Sequence, residues 1–412
     1  MAQASLRPIE TLPLQAATDG WIIPDGEHAG PFIIDQPIRL RCATGATLHS
    51  NNQGSVLTIR AAGVHIENCN LRNWGSNLTN LDAAIFIEPT ATDVVLSNNH
   101  LQGKGFGIWS DNTKNLLVDN NLIEGEPTLR SQDRGNGIHL INTNHARILN
   151  NQIRHTRDGI YIGNSGNNVI QGNLMEDLRF GVHYMFSLNN QVVNNITRRT
   201  RTGYALMQSR MLTVTGNRSE NDQNYGLLMN FITYSTIRDN FVSNVQRGQT
   251  GDDSMIKGGE GKALFIYNSL FNTIQGNHFE RSNLGIHLTA GSEDNKISDN
   301  AFVGNEQQVK YVATRTQEWS VEGRGNYWSD YLGWDRNNDG LGDMYYEPND
   351  NVDRLLWMYP QVRLLMNSPA IELLRWVQQA FPVIKMQGVR DSYPLMKLPT
   401  DKLINPTQEP QS

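Results

Sequence analysis

Along most of the chain an aliphatic residue is followed three positions later by asparagine and, two positions after that, mostly by another apolar residue. The asparagines are Asn99, Asn121, Asn151, Asn173, Asn195, Asn217, Asn240, Asn277 and Asn300, with Cys69 in the equivalent place one turn earlier. From Cys69 onward the gaps are 30, 22, 30, 22, 22, 22, 23, 37 and 23, so a coil of about 22 residues repeats and three intervals carry insertions. A fixed period in the twenties marks a solenoid. The preceding column, from Ile66 and Leu96 through Ile148, Val192 and Ile274 to Ile297, should point inward. The following column is Leu71, Leu101, Ile123, Ile153, Met175, Val242, Phe279 and Phe302, broken by Thr197 and Ser219. Alternation with period two predicts short strands.

A second block recurs upstream of the ladder: Gly-Ile-Trp at Gly107, Gly-Ile-His at Gly137, Gly-Ile-Tyr at Gly159, Gly-Val-His at Gly181, Gly-Tyr-Ala at Gly203, Gly-Leu-Leu at Gly226 and Gly-Ile-His at Gly285. Each coil therefore holds at least two strands joined by polar turns. The predicted fold is all-β, a right-handed parallel β-helix whose turn asparagines hydrogen-bond one another along the axis. Ten coils at a strand spacing of about 4.8 Å make a rod on the order of 50 Å long. The expected division is a cap with the first coils over residues 1–60, a β-helix body over 61–327, and a C-terminal region over 328–412 where the period disappears.

Thirty-six glycines and 18% charged residues in 412 suit a turn-rich solenoid. A net charge of −6 argues against a nucleic-acid partner. No run of about twenty apolar residues is present, hence no transmembrane helix is expected. The start, Met1-Ala2-Gln3-Ala4, has no charged segment leading into an apolar one. Two expectations fit it: a cytosolic protein, or one whose secretion signal has been removed. Cys42 and Cys69 lie 27 residues apart on neighbouring coils, and both a disulfide and two separately buried thiols fit that spacing.

In the glycine-block strands the residues one and three places after glycine should face the core, among them Val182/Tyr184, Tyr204/Leu206 and Leu227/Met229. Those two and four places after face out. The outward set includes His139, Tyr161 and His183 in one column, Met185 and Met207 in the next. Exposed methionines in register on successive strands are unusual. One imidazole and two thioethers, His183, Met185 and Met207, form a soft ligand set suited to Cu(I). The competing expectation is that an inserted loop covers these side chains and they only pack. Met255, in the insertion between Gly251 and Gly261, is placed to close over the site. The same columns allow an enzymatic alternative, a polysaccharide lyase or hydrolase using His139, Tyr161 and His183 as acid and base, although Asp111 is the one carboxylate they offer.

Asp335-Arg336-Asn337-Asn338-Asp339-Gly340-Leu341-Gly342-Asp343 matches the first nine positions of a calcium loop: side-chain oxygens from Asp335, Asn337, Asp339 and Asp343, the Leu341 carbonyl, and glycine at the sixth place. The glutamate expected at position 12 is absent; Tyr346 stands there. A structural Ca²⁺ is expected, against a turn held by its own hydrogen bonds. Beyond it, 353–366 is strongly apolar. Ser368-Pro369 makes a helix start, and Ile371, Leu374, Val377 and Phe381 mark one face of a second helix. These helices either cap the open end of the solenoid or dock on another protein.

Taken together these segments resemble the NosD family over nearly the whole chain. The specific ones are Phe180-Gly181-Val182-His183-Tyr184-Met185, the run from Gly259 to Asn268, and Gly325-Asn326-Tyr327-Trp328-Ser329-Asp330-Tyr331 leading into the Asp335 loop. The resemblance implies a periplasmic, non-enzymatic protein that works beside an ABC-type ATPase and membrane permease and hands copper toward the copper centres of nitrous oxide reductase. It implies docking of the permease on the C-terminal helices, a copper-chaperone lipoprotein as a second partner, and a removed secretion signal. A scaffold that binds no metal itself is the third expectation.

Overall fold

The computed structural model describes residues 6–247, 261–289, 291–312, 315–349 and 388–399, together with 368, 369 and 373. Each coil carries three short strands, and stacking them builds three sheets of 13 strands, with one further two-stranded pair. Sheet A collects the glycine-block strands, such as Asp158–Gly163, Phe180–Met185 and Thr202–Met207. Sheet B collects the strands before the ladder, such as Val169–Gln171, and sheet C those after it, such as Leu174–Glu176. Among the described residues all named pairings are parallel except the first in sheet B, where Gln15–Ala17 and Gly20–Ile23 run antiparallel. The chain is a parallel β-solenoid of right-handed type.

The stretch around each ladder asparagine is two strands meeting at a corner. The residue before the asparagine turns it, with positive φ at Asn98 (54°), Asn120 (54°), Asn150 (52°), Asn194 (52°), Asp239 (53°) and Asp299 (54°) and at Gly172, Gly216 and Gly276. Asparagine, aspartate and glycine are the residues that visit this region at least cost. At the corner itself each ladder amide donates from Nδ2 to the next Oδ1 at 2.9–3.0 Å, from Asn99 without a break to Asn326. That Oδ1 also accepts the preceding rung's backbone N–H, as Asn195 does from Asn173 at 3.0 Å. Buried backbone donors on a curved corner, which no sheet pairs, are satisfied this way.

The ten-coil expectation undercounts. The first coils have no asparagine at the rung, and Asn326 adds one beyond Asn300, so 13 strands per sheet give a rod on the order of 60 Å long. Cys42 and Cys69 form a disulfide between neighbouring coils, with Cα atoms 4.9 Å apart.

The inward pairs of sheet A, including Ile160/Ile162, Val182/Tyr184, Tyr204/Leu206 and Leu227/Met229, are fully buried in one continuous core. Each buried aliphatic contributes about 1.5–3 kcal/mol. Thr197 and Ser219, which break the apolar column, hydrogen-bond the carboxylate of Asp222 inside the coil at 2.8 and 2.7 Å. At the C-terminal end Phe279, Phe302, Trp328 and Tyr346 stack in sequence. Asp391, from a segment 65 residues beyond Asn326, closes the ladder by accepting from the Asn326 N–H at 2.7 Å and Trp328 Nε1 at 2.8 Å. The helix expected over 353–366 and the Met255 lid lie outside the described residues, as does all of the one expected over 369–381 except 369 and 373.

Candidate metal centre

Phe180–Met185 in sheet A alternates as its pattern requires, with Val182 and Tyr184 in the core and His183 and Met185 on the outer face. The next strand, Thr202–Met207, pairs Ala205 with His183 and Met207 with Met185 in direct register. The backbones of Met185 and Met207 thus lie side by side at the end of adjacent strands, about 4.8 Å apart along the axis.

The outer face is less open than the alternation suggests. His183 is only 7% exposed, with the rings of Tyr161 and Phe180 edge-on at 5.0 and 4.9 Å. Met185 and Met207 are half-buried, and Met207 packs against a cluster of Ala205, Tyr225 and Leu228. The correction to the exposed-methionine expectation comes from neighbouring large side chains on the same face, which cover one another.

His183 is also held in orientation. Its Nδ1 lies 2.9 Å from Asp158 Oδ2, and Asp158 is fully buried. Arg179 grips the same carboxylate with Nε at 2.7 Å and Nη2 at 2.6 Å. Burial alone would raise the Asp158 carboxyl, but the bonds from His183 and Arg179 and the Arg179 charge outweigh it and hold it below the usual range. An ionised carboxylate only accepts, so Nδ1–H donates, which fixes Nε2 as the nitrogen available to a metal ion. That Nε2 is buried and has no hydrogen-bond partner. A carboxylate fixing one ring nitrogen while the other is left free is the arrangement found behind metal-binding histidines.

The sequence reading missed Asp158 and Arg179. The available signal was an acidic residue directly before Gly159, where the other glycine blocks carry Phe106, Asn136, Phe180, Thr202, Tyr225 and Leu284. Among the described residues no three His, Cys, Asp or Glu side chains group to hold a metal; the set here relies on sulfur from methionine instead.

The rest of the column stacks. Trp109, His139 and Tyr161 follow one another with ring centroids 4.0 and 4.4 Å apart. Burial lowers His139 to about 3, so it is neutral, and its Nδ1 accepts from the Asn136 amide at 2.8 Å. Burial raises the Tyr161 phenol. Asp111 accepts from Asn142 at 3.0 Å. The rings of His139 and Tyr161 stack on one another, while His139 Nε2 is buried without a hydrogen-bond partner. Met229 is fully buried and belongs to the core.

In the second candidate loop the oxygens lie in one turn and accept its own N–H groups. Asp335 Oδ2 accepts from Gly340 at 2.8 Å, Asp339 Oδ1 from Leu341 at 2.8 Å, Asn337 Oδ1 from Asp339 at 3.2 Å and Asp343 Oδ2 from Arg336 at 2.6 Å. Gly340 takes φ 86°, as the sixth position requires. The turn leans on the last described segment, Met396 donating to the Gly340 carbonyl at 3.0 Å.

Residues 120–333, more than half of the chain and including every residue of the His183 site, match the family described as "Periplasmic copper-binding protein (NosD)". A Stutzerimonas stutzeri protein named "Probable ABC transporter binding protein NosD" is 68% identical over 412 residues, all of this chain and 94% of that protein. This chain belongs to the NosD family. A Pseudomonas aeruginosa NosD of the same name is 62% identical over 400 residues, 97% of this chain and 93% of that one. Both relatives are named as binding proteins. Among solved structures, the surface adhesin PfbA of Streptococcus pneumoniae is similar at 13% identity and a TM-score of 0.49, over 71% of this chain and 91% of that one. A likeness at that distance carries no functional argument.

Proposed function

We propose that this NosD-family chain binds Cu(I) in the periplasm through His183, Met185 and Met207. It would pass the ion toward the copper centres of nitrous oxide reductase, working beside an ABC permease and ATPase. The observation that carries the reading is the buried, unpartnered Nε2 of His183, oriented by Asp158 and Arg179, on the same face as a registered methionine pair. Two thioethers and a neutral imidazole are soft, uncharged ligands, and a half-covered site limits access by water; both favour Cu(I) over Zn²⁺ or Cu(II). Copper is cargo here, so three ligands with room for a fourth suit exchange better than a closed four-ligand site. The family's description and its relatives' names support the copper and transporter parts. The chaperone lipoprotein and the C-terminal helices as the permease's docking element remain part of the proposal.

The test is a Cu(I) titration in competition with a chromogenic chelator, comparing the wild type with the His183→Ala/Met185→Ala/Met207→Ala variant. A loss of at least 100-fold in affinity is expected, and equal affinities would remove the site. The Asp158→Asn variant should lose about tenfold or more, because the ring is no longer fixed in its tautomer.

Calcium at Asp335, Asn337, Asp339, Leu341 and Asp343 is a separate and structural part of the proposal. Excess Ca²⁺ should raise the melting temperature and EDTA reverse it, by RT ln(1 + [L]/Kd). No change with either would contradict it.

A further inference from the structure

On five successive coils the outward column that carries the methionine pair runs Ile141, Gly163, Met185, Met207 and Asn230. Gly163 ends the strand Asp158–Gly163. Glycine in a strand gives up side-chain packing, and it marks a bend, a special backbone conformation or a close approach. The backbone does not call for it here: Gly163 is not left-handed, unlike Gly172 and Gly216, each at φ 69°. The close approach is made by Tyr161. A Cβ at position 163 would lie 3.0 Å from Cε1 and from Oη of that ring and 3.4 Å from Cζ. The phenol thus lies along its own strand and across the glycine, and Gly163 is buried although it belongs to the outer face.

Register carries this ring to the candidate ligands. Tyr161 pairs with His183 and Gly163 with Met185, so a side chain that spans 161 to 163 runs beside both. It is clamped there, stacked on His139 at 4.4 Å and edge-on to His183 at 5.0 Å. Met207 occupies the opposite side of Met185. One flank of the three-residue set is therefore closed by an aromatic ring, and the missing side chain at 163 is what lets the ring lie flat. Apolar groups around a metal's ligands govern the entry of solvent and, through it, the redox potential. Cu(II) seeks a tetragonal set of nitrogen and oxygen ligands, which two thioethers and one imidazole complete only by adding water. Cu(I) is content with the soft ligands alone.

We infer that Tyr161 sets the oxidation-state preference of the site: lying across Gly163, it bars water from the flank of His183 and Met185 and so reserves the site for Cu(I). Tyr161 is a positioning residue and no ligand; its ring, not its hydroxyl, does the shielding. The preference for Cu(I) rests on the copper reading above. The wall rests on Gly163 and the ring contacts.

Three variants test it. Tyr161→Ala removes the ring, Tyr161→Phe keeps it, and Gly163→Ala retains the tyrosine but puts a methyl group where its ring lies. Affinities for Cu(I) and for Cu(II) are measured for each by chelator competition. For Tyr161→Ala and Gly163→Ala the expected result is a gain of about tenfold or more in Cu(II) affinity relative to Cu(I), equivalent to a potential lower by about 59 mV. Tyr161→Phe should behave as the wild type does. A second readout uses the metal-free protein and hydrogen peroxide, which transfers one oxygen atom to a methionine sulfur and leaves as water. Peptide mass spectrometry should show Met185 sulfoxide forming about fivefold faster in Tyr161→Ala and Gly163→Ala, with Met207, one coil further from the ring, at its wild-type rate. Equal Cu(II)-to-Cu(I) ratios in all four proteins would overturn the inference. So would a Tyr161→Phe variant that shifts as far as Tyr161→Ala, or oxidation of Met185 and Met207 accelerated alike, which marks general loosening. Failure of the copper reading shows separately: the wild type itself then holds no Cu(I), which removes the preference, while the Met185 rates still report the wall.

Discussion

Asp222 is a carboxylate sealed inside the solenoid. Four donors reach it: the Thr200 N–H at 2.7 Å and the hydroxyls of Thr200, Thr197 and Ser219 at 2.7–2.8 Å. Among the described residues no cation accompanies them, and burial outweighs the bonds, raising its pKa to about 6. A folded-state value above the unfolded one near 3.9 means the stabilisation is complete below about pH 4 and is lost as pH rises through 6. His139 and His287 act the other way. Burial lowers them to about 3 and about 2, so their contribution is lost as pH falls below the unfolded value near 6.5. The wild-type profile mixes the two, and the difference between wild type and Asp222→Asn isolates the carboxyl. The variant's relative stability should rise by about 1 kcal/mol or more from pH 5 to pH 8 in denaturant titrations; a difference independent of pH would contradict the assignment. Thr197 and Ser219 were visible in the sequence as breaks in an apolar column, but their reason was not, because Asp222 comes from the following corner. Asp158, Arg179 and His183 show the same limit. The imidazole and methionines could be placed by counting coils, whereas the carboxylate that orients the ring lies 25 residues from it and is recognisable only once coils are stacked.

The period-two alternation was sufficient to place the strands, and at the scale of elements the corners carry the remaining information. Ladder rungs were readable because an amide both donates and accepts along the axis. The pair of strands flanking each rung was harder to separate, since one left-handed residue turns the corner and the apolar pattern continues through it. Phe186, Met211, Phe231, Tyr234 and Phe271 are hidden in the sequence for the opposite reason: left-handed turn positions are ordinarily asparagine or glycine, and aromatics there look like core until the backbone is known. The first coils lack the amide ladder, and the Cys42–Cys69 disulfide takes its place as the tie between neighbouring coils. Closing a loop of this length contributes about 3–4 kcal/mol by unfolded-state entropy. Reduction should therefore lower the denaturant midpoint, and the Cys42→Ala/Cys69→Ala variant should match the reduced wild type; a reductant-insensitive midpoint would contradict the tie.

As a whole the molecule is a rod whose candidate ligands lie on one side. The antiparallel Gln15–Ala17 and Gly20–Ile23 pair covers one edge of sheet B. The aromatic stack through Trp328 and the carboxylate of Asp391 finish the core and the ladder at the other. Sheets B and C are scaffold, and the outer face of sheet A holds the buried histidine and the methionine pair. The stacked strands fix these groups in register. Family membership was legible from motifs in the primary sequence, and the register of Met185 with Met207 from coils counted along it. The depth of burial at His183 was not, because it depends on which outward side chains are large enough to shield their neighbours.

The central claim is that His183, Met185 and Met207 hold one Cu(I). Anomalous scattering at the copper absorption edge from crystals soaked anaerobically with Cu(I) tests it most directly. The account predicts a single strong peak within bonding distance of His183 Nε2 and the Sδ atoms of Met185 and Met207, lost in the triple alanine variant. A crystal with no peak there, or with copper bound at the Asp335 loop instead, would contradict it.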